Sequence, residues 1–233
     1  MKTTHLSALI AAALLLSACH KKPPPAQTTA PAVVETPVAV SAPAAATAAA
    51  PAAPAAEPAE LTQEQRQLKE KQAKLDFAVM EDKYINDPKA QWASSASAST
   101  TFGGKDAADS NMAKNVIGRI DAKNWTNDQQ EIGFDTLETG YATPVNATEV
   151  RLVVPGGDGI EALTKVELQD TDGKWNSVWS GLSDVKQDVR GDRTWFVRSF
   201  PRTAYKVKAV KYTFANNVER GYKKADAAQL VGE

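Results

Sequence analysis

An all-β fold, an antiparallel β-sandwich standing behind one α-helix and a disordered tether, is what this sequence predicts for its mature part. Three observations predict it. Apolar residues alternate with polar ones at a period of two through most of residues 88–233, as in 149–153 and 164–168. No helix-period segment follows residue 87. All five tryptophans (92, 125, 175, 179 and 195) fall within that same region, which is long enough to bury one core.

From the start of the chain, Lys2 precedes an apolar run, Leu6 to Leu16, that is too short to span a bilayer as a helix. It ends in Leu16-Ser17-Ala18-Cys19, which resembles a lipobox, and Cys19 is the only cysteine. The resemblance is to bacterial lipoproteins. It implies cleavage of a signal peptide, residues 1–18, and lipidation of Cys19, palmitate included, as the membrane anchor. The alternative is an ordinary signal peptide cut after Ala18, which would leave a lone free thiol in an oxidising compartment. His20, Lys21 and Lys22 follow the cysteine where inner-membrane lipoproteins commonly carry Asp. By that likeness the expected location is the outer membrane, facing the periplasm, with surface exposure as the other orientation.

Residues 19–60 form the expected tether. From 23 to 60 the chain is nearly all Ala, Pro, Thr and Val, with nine of the thirteen prolines and no aromatic residue. Such a segment buries too little surface to offset its ordering entropy. Its prolines favour extended conformers of about 3.1 Å per residue, a reach of up to roughly 100 Å. A search tether and a neutral spacer are equally consistent with this composition.

Residues 61–87 predict an amphipathic helix. Thr62 and Gln65 match a capping box, and Asp87-Pro88 marks the stop. Leu61, Leu68 and Leu75 recur every seven residues and Val79 extends their face, while Ala73, Phe77, Met80 and Tyr84 form a second stripe. Two readings stand: a short coiled coil along the leucines, with Asp82 where the next should be, or a helix lying on the following domain.

In residues 88–233, Asp172-Gly173 predicts a hairpin with a primed turn. The apolar parity changes between Tyr205-Val207-Ala209 and Val210-Tyr212-Phe214, which predicts a bulge near 209–210. Gly156-Gly157-Asp158-Gly159 follows a strand without opening a helix, so it reads as a flexible turn rather than a phosphate loop.

Several segments in this region resemble discoidin-like, galactose-binding-type jelly rolls. Trp92 to Ser99 is similar to their opening strand. Ala113 to Asp121 followed by Trp125 is similar to an A-x-x-x-x-G-x-x-D…W segment. Ala142-Thr143-Pro144-Val145, the 164–179 hairpin, and the closing Ala225-Asp226-Ala227-Ala228-Gln229-Leu230-Val231-Gly232 follow in family order. The resemblance implies a jelly-roll sandwich whose members bind sugars, lipids or proteins. Two departures bear on any inherited site: Ala225 replaces the usual aliphatic residue, and Arg220-Gly221-Tyr222 stands where an aromatic-acidic pair often sits.

The side-chain inventory bounds the chemistry. The two histidines are residues 5 and 20, so the 88–233 domain contains neither histidine nor cysteine. Ser-His-Asp and Cys-His catalysis and His/Cys zinc sites are excluded there. A formal charge of −1, or −2 once Lys2 leaves with the signal, gives no reason to expect nucleic acid. Carboxylates remain: Asp106, Asp109, Asp121, Asp128, Asp158, Asp170, Asp172 and Asp226 could serve a glycoside hydrolase as a pair, or simply cap turns. The resemblance leaves calcium as an option, held by turn aspartates and carbonyls, with Asp121 foremost; no other cofactor is expected.

The expected function is therefore non-catalytic recognition of an envelope glycan or peptidoglycan by loops at one end of the sandwich. The ligand-binding candidates are Asp106, Asp109, Asn111, Trp125, Asp158 and Tyr222, with burial in the core as the competing role for Trp125. A scaffold that holds an envelope protein is the rival, and a carboxylate-dependent hydrolase is third. Arg190-Gly191-Asp192 matches an adhesion tripeptide that a polar turn also explains.

Overall fold

The computed structural model describes residues 60–233; the lipobox-like segment and the Ala/Pro-rich stretch up to 59 lie outside the described residues. Helix α1 (Gln63–Ile85) opens on a closed capping box. The Thr62 hydroxyl accepts the Gln65 amide at 3.3 Å and the Gln65 side chain accepts the Thr62 amide at 2.9 Å. Asn86 ends the helix, one residue short of Asp87-Pro88. Among the described residues, no helix is long and apolar enough to cross a membrane.

Ten strands follow: β1 (Ala90–Trp92), β2 (Ser95–Ala98), β3 (Trp125–Thr126), β4 (Phe134–Pro155), β5 (Leu163–Asp170), β6 (Trp175–Ser180), β7 (Arg193–Ser199), β8 (Lys206–Ala215), β9 (Lys224–Ala225) and β10 (Ala227–Gly232). Their pairings are antiparallel, and together they make an antiparallel β-sandwich. The 22-residue strand β4 is shared between the layers. Its first part pairs with β2 and β8, and β8 continues to β5 and β6; its second part pairs with β10 and β7, and β10 continues to β1.

The alternating apolar residues supply the core between the layers. Leu137, Val150, Leu152, Val166, Leu168, Phe196, Val210, Tyr212, Phe214 and Leu230 are buried in one cluster. The parity change in β8 is real and lies one residue earlier than expected. Against β5 the partners step from Ala209 to Val207 while Gln169 steps only to Asp170, leaving Lys208 as the extra residue, and against β4 the excess lies in β4, where residues 141–144 intervene between Gly140 and Val145; Val207 and Val210 are both buried.

The β5–β6 hairpin forms, but its turn is not primed. Gly173 has a φ of +92° and Asp172 is not among the positive-φ residues. The Gly173 amide donates to the Asp170 carbonyl (3.1 Å), and the Asp170 carboxylate accepts the amides of Asp172 and Lys174. An aspartate capping a longer loop outcompetes the two-residue turn suggested by Asp-Gly alone.

Helix α1 lies on the sandwich through its second stripe. Phe77 is buried against Val153, Trp195 and Ala227, with Met80, Tyr84 and Ile85 packed alongside. Polar contacts lock the C-terminal half. Trp195 Nε1 donates to Glu81 (2.9 Å), and the buried Arg151 guanidinium reaches Asp87 (2.8 Å), Gln229 (3.1 Å) and Glu149 (2.5 Å) while stacking over Tyr84. The Arg190-Gly191-Asp192 turn belongs to this contact. A Cβ on Gly191 would lie 2.2 Å from the Phe77 ring, so glycine is there for close packing. The first stripe faces away: Leu61, Leu68, Leu75 and Val79 are 44%, 68%, 57% and 63% exposed.

Candidate functional site

One end of the sandwich gathers the loops 99–133, 156–162 and 216–223, and buried polar groups bind them together. At the centre is Lys223, a lysine with no solvent exposure. Its ammonium donates to four backbone carbonyls: Glu219 (2.6 Å), Gly221 (2.6 Å), Gln130 (2.8 Å) and Asn216 (3.2 Å). Burial pulls its pKa below the usual lysine value, against the attraction of Glu219, Asp135 and Glu131.

Beside it, the buried Asp135 carboxylate accepts hydrogen bonds from Thr100 (2.6 Å), Asn127 (2.8 Å), Ser99 (2.9 Å) and Asn216 (2.9 Å). Burial disfavours its charge, but these four donors outweigh burial and hold the carboxyl below its ordinary value. Glu219 accepts the amides of Gly159, Glu161 and Ala162, tying the 156–162 turn to the 216–223 loop. The glycine-rich turn is thus pinned by packing and hydrogen bonds rather than left loose. Asp226 accepts the amides of Asp121 and Ala122 at 3.2 and 3.1 Å and thereby holds Ala122 at a φ of +65°. Burial raises the Asp226 pKa, and these two bonds offset only part of that rise.

On this framework sit the exposed groups. Phe102, 40% exposed, meets the half-buried Tyr222 edge to face at 4.9 Å between ring centroids. The chain on either side of Phe102 lines a depression of about 320 Å³ walled by Ser99, Thr100, Thr101, Gly104 and Asp128. A second depression, about 500 Å³, is lined by Asp109, Ser110, Lys114, Asn115 and Lys123.

The expected site residues separate accordingly. Tyr222 belongs to the aromatic pair. Asp109 lines the second depression and is paired with Lys114 (2.7 Å), which lowers its carboxyl pKa. Asp106 is exposed beside Lys105, and Asn111 is half-buried in the following 3₁₀ turn. Asp158 pairs with Lys224 at 2.8 Å. Trp125 is corrected to the core: it is fully buried, its indole N–H donates to the Thr100 carbonyl (2.9 Å), and its ring packs on Phe214, so no ligand can stack on it.

Asp121, the foremost calcium candidate, is engaged within its own turn. Its carboxylate accepts from the Lys123 amide (3.0 Å) and ammonium (2.7 Å), and among the described residues no three His, Cys, Asp or Glu side chains cluster to hold a metal. The carbonyl cage suited to a cation lies elsewhere, and Lys223 fills it. Sequence reasoning missed Phe102, Lys223, Glu219 and Asp135. Phe102 alone carried a signal, as a large aromatic next to a Gly-Gly turn.

No family model matches this chain, and no curated protein does. Solved structures similar in chain trace include a chitosan-binding module from a chitosanase/glucanase of Paenibacillus sp. IK-5 (12% identity, 60% of this chain and 96% of that one, TM-score 0.46). A family 32 carbohydrate-binding module of C. perfringens NanJ in complex with galactose is similar too (12% identity, 60% and 98%, TM-score 0.46). So is the C-terminal domain of a chitobiase from Bacteroides fragilis (12% identity, 64% and 97%, TM-score 0.46).

Two outcomes are expected for the loop framework. Lys223→Met leaves four buried carbonyls without their donor and should lower unfolding free energy by about 3–5 kcal/mol, read by urea titration. Asp135, whose pKa is lowered on folding, binds its proton less readily folded than unfolded. Its stabilisation is therefore complete above the unfolded value of 3.8 and is lost as pH falls through the lower folded value. Asp226, with a raised pKa, acts in the opposite sense, so Asp135→Asn should flatten the acid limb of a stability–pH curve measured between pH 5 and 2.

Proposed function

We propose that this protein is a non-catalytic glycan-binding module whose ligand sits at the Phe102–Tyr222 end of the sandwich. The observation that carries the reading is the exposed Phe102, paired with the half-buried Tyr222, next to a small polar depression. Apolar C–H faces of a pyranose stack on aromatic rings, while its hydroxyls need fixed donors and acceptors such as Ser99, Thr101 and the exposed Asp128 carboxylate. The depression is of the size that takes one or two sugar rings. Asp109, Asp158 and the 500 Å³ depression with Lys114 and Lys123 would extend the surface toward an acidic or longer glycan. A hydrolase is disfavoured because Asp121, Asp135, Asp170, Glu219 and Asp226 already hold backbone amides or loop side chains.

The same reading places the module on a membrane through lipid at Cys19, on the outer membrane facing the periplasm, with an envelope glycan such as peptidoglycan within reach of the tether. The rival reading, a scaffold for a protein partner, is favoured by the leucine stripe left exposed on α1.

Binding is tested with the full chain by affinity electrophoresis in soluble polysaccharides and co-sedimentation with peptidoglycan sacculi. Phe102→Ala and Tyr222→Ala should each weaken retention about tenfold, or roughly 1.4 kcal/mol. Wild-type protein retained by none of these, or alanine variants retained as well as wild type, would sink the glycan reading. Anchoring is tested separately by labelled palmitate: incorporation is expected in the wild type and absent in Cys19→Ser, and equal labelling of both would refute the lipid site.

A further inference from the structure

The structure leaves α1 with two apolar faces and only one covered. Within α1, with Leu68 and Leu75 at heptad d positions, Gln65, Gln72 and Val79 occupy a, Glu64, Lys71 and Ala78 occupy g, and Lys69 and Asp76 occupy e; Leu61 precedes the Thr62 cap and lies outside the seam. Every one of these residues is exposed in the described structure. The docked residues Phe77, Met80 and Tyr84 fall at f and b, on the opposite side of the helix. The sandwich therefore stands clear of the seam.

We infer that the leucine stripe of α1 is covered by a second copy of this chain, in a parallel two-stranded coiled coil spanning residues 63–79. Charge decides both the occupant and the orientation. In a parallel pair, each g residue faces the e residue five places on in the partner helix. Glu64 then meets Lys69 and Lys71 meets Asp76, twice over by symmetry, and all four contacts are attractive. In the antiparallel register that stacks the leucines and Val79 against a and d of the other helix, Lys69 would face Lys69 and Lys71 would face Lys71. The self-complementary pattern fits an isologous pair, in which the same patch serves both partners. Gln65 and Gln72 at a lower the stability of the seam while fixing its register, as single polar a residues do. Little more than two heptads make a modest dimer, so the equilibrium should depend on concentration.

The test uses the full chain with Cys19→Ser, which removes the only native thiol, and Gln65→Cys. In the parallel coil the two introduced cysteines face each other across one layer, whereas the antiparallel register separates them by about 15 Å along the axis, beyond disulfide reach. Copper-phenanthroline oxidation should yield a covalent dimer. Adding Leu68→Lys and Leu75→Lys should abolish it and shift sedimentation velocity to the monomer, with the urea midpoint unchanged when read at concentrations low enough for the parent to be monomeric, because both leucines are exposed in the single chain. Glu64→Lys should weaken dimerisation, and Glu64→Lys with Lys69→Glu should restore it. A monomer at all concentrations, a cross-link indifferent to the lysines, or failure of the charge swap to restore association would each overturn the proposal.

Discussion

The loop end depends on one buried ammonium. Lys223 has exchanged water for four backbone carbonyls drawn from Gln130, Asn216, Glu219 and Gly221, and those carbonyls converge only because a cation holds them. An unpaired buried charge would be costly. Here the charge is surrounded by hydrogen-bond acceptors, with Asp135 and Glu219 nearby as counter-charges. The arrangement performs the work of a structural metal ion with a side chain, independent of any supply of metal. It also orders the polypeptide on either side, since Asn127 accepts the Lys223 amide and donates to Asp135.

From that constraint follows a division of labour across the surface. Three carboxylates are consumed in holding loops: Glu219 under the glycine turn, Asp226 under Asp121–Ala122, Asp170 in the hairpin. What faces solvent on this frame is Phe102 with Tyr222 and a few hydroxyls. A preorganised aromatic edge loses little entropy when a ligand stacks on it, which suits weak and selective recognition better than bond cleavage. The loops at this end owe their shape to buried ionic and amide hydrogen bonds rather than to secondary structure.

The helix adds a second, separate surface. Its Phe77–Tyr84 face is fixed to the sandwich by aromatic packing on Trp195 and by Arg151, while its leucine face points outward on the opposite side and is exposed among the described residues. Pairing through the leucines would place two sandwiches on one stalk, and two weak binding sites held together raise avidity without new contacts at either.

Much of this architecture was legible in the residues themselves. Period-two alternation identified the sandwich because a pleated strand must turn alternate side chains to one face, and the parity change marked the β8 bulge to within one residue. Thr62 and Gln65 marked the start of the helix because capping is a local interaction. Both helix stripes were visible, but not which would be covered; that depended on Trp195, Val153 and Ala227 arriving from strands far along the chain. The site was less legible for the same reason. Trp125 could be read as a binding aromatic or as core, and only the packing of Phe214, 89 residues away, makes it core; Asp121 pairs with Lys123, while the cage that holds the Lys223 ammonium is built from carbonyls that no side-chain pattern encodes. Local periodicity and capping were set by the sequence alone, because they involve near neighbours. Which polar groups were buried together, and hence what remained to touch a ligand, was decided only by the tertiary fold, because desolvation is a property of the whole packed end and not of any segment.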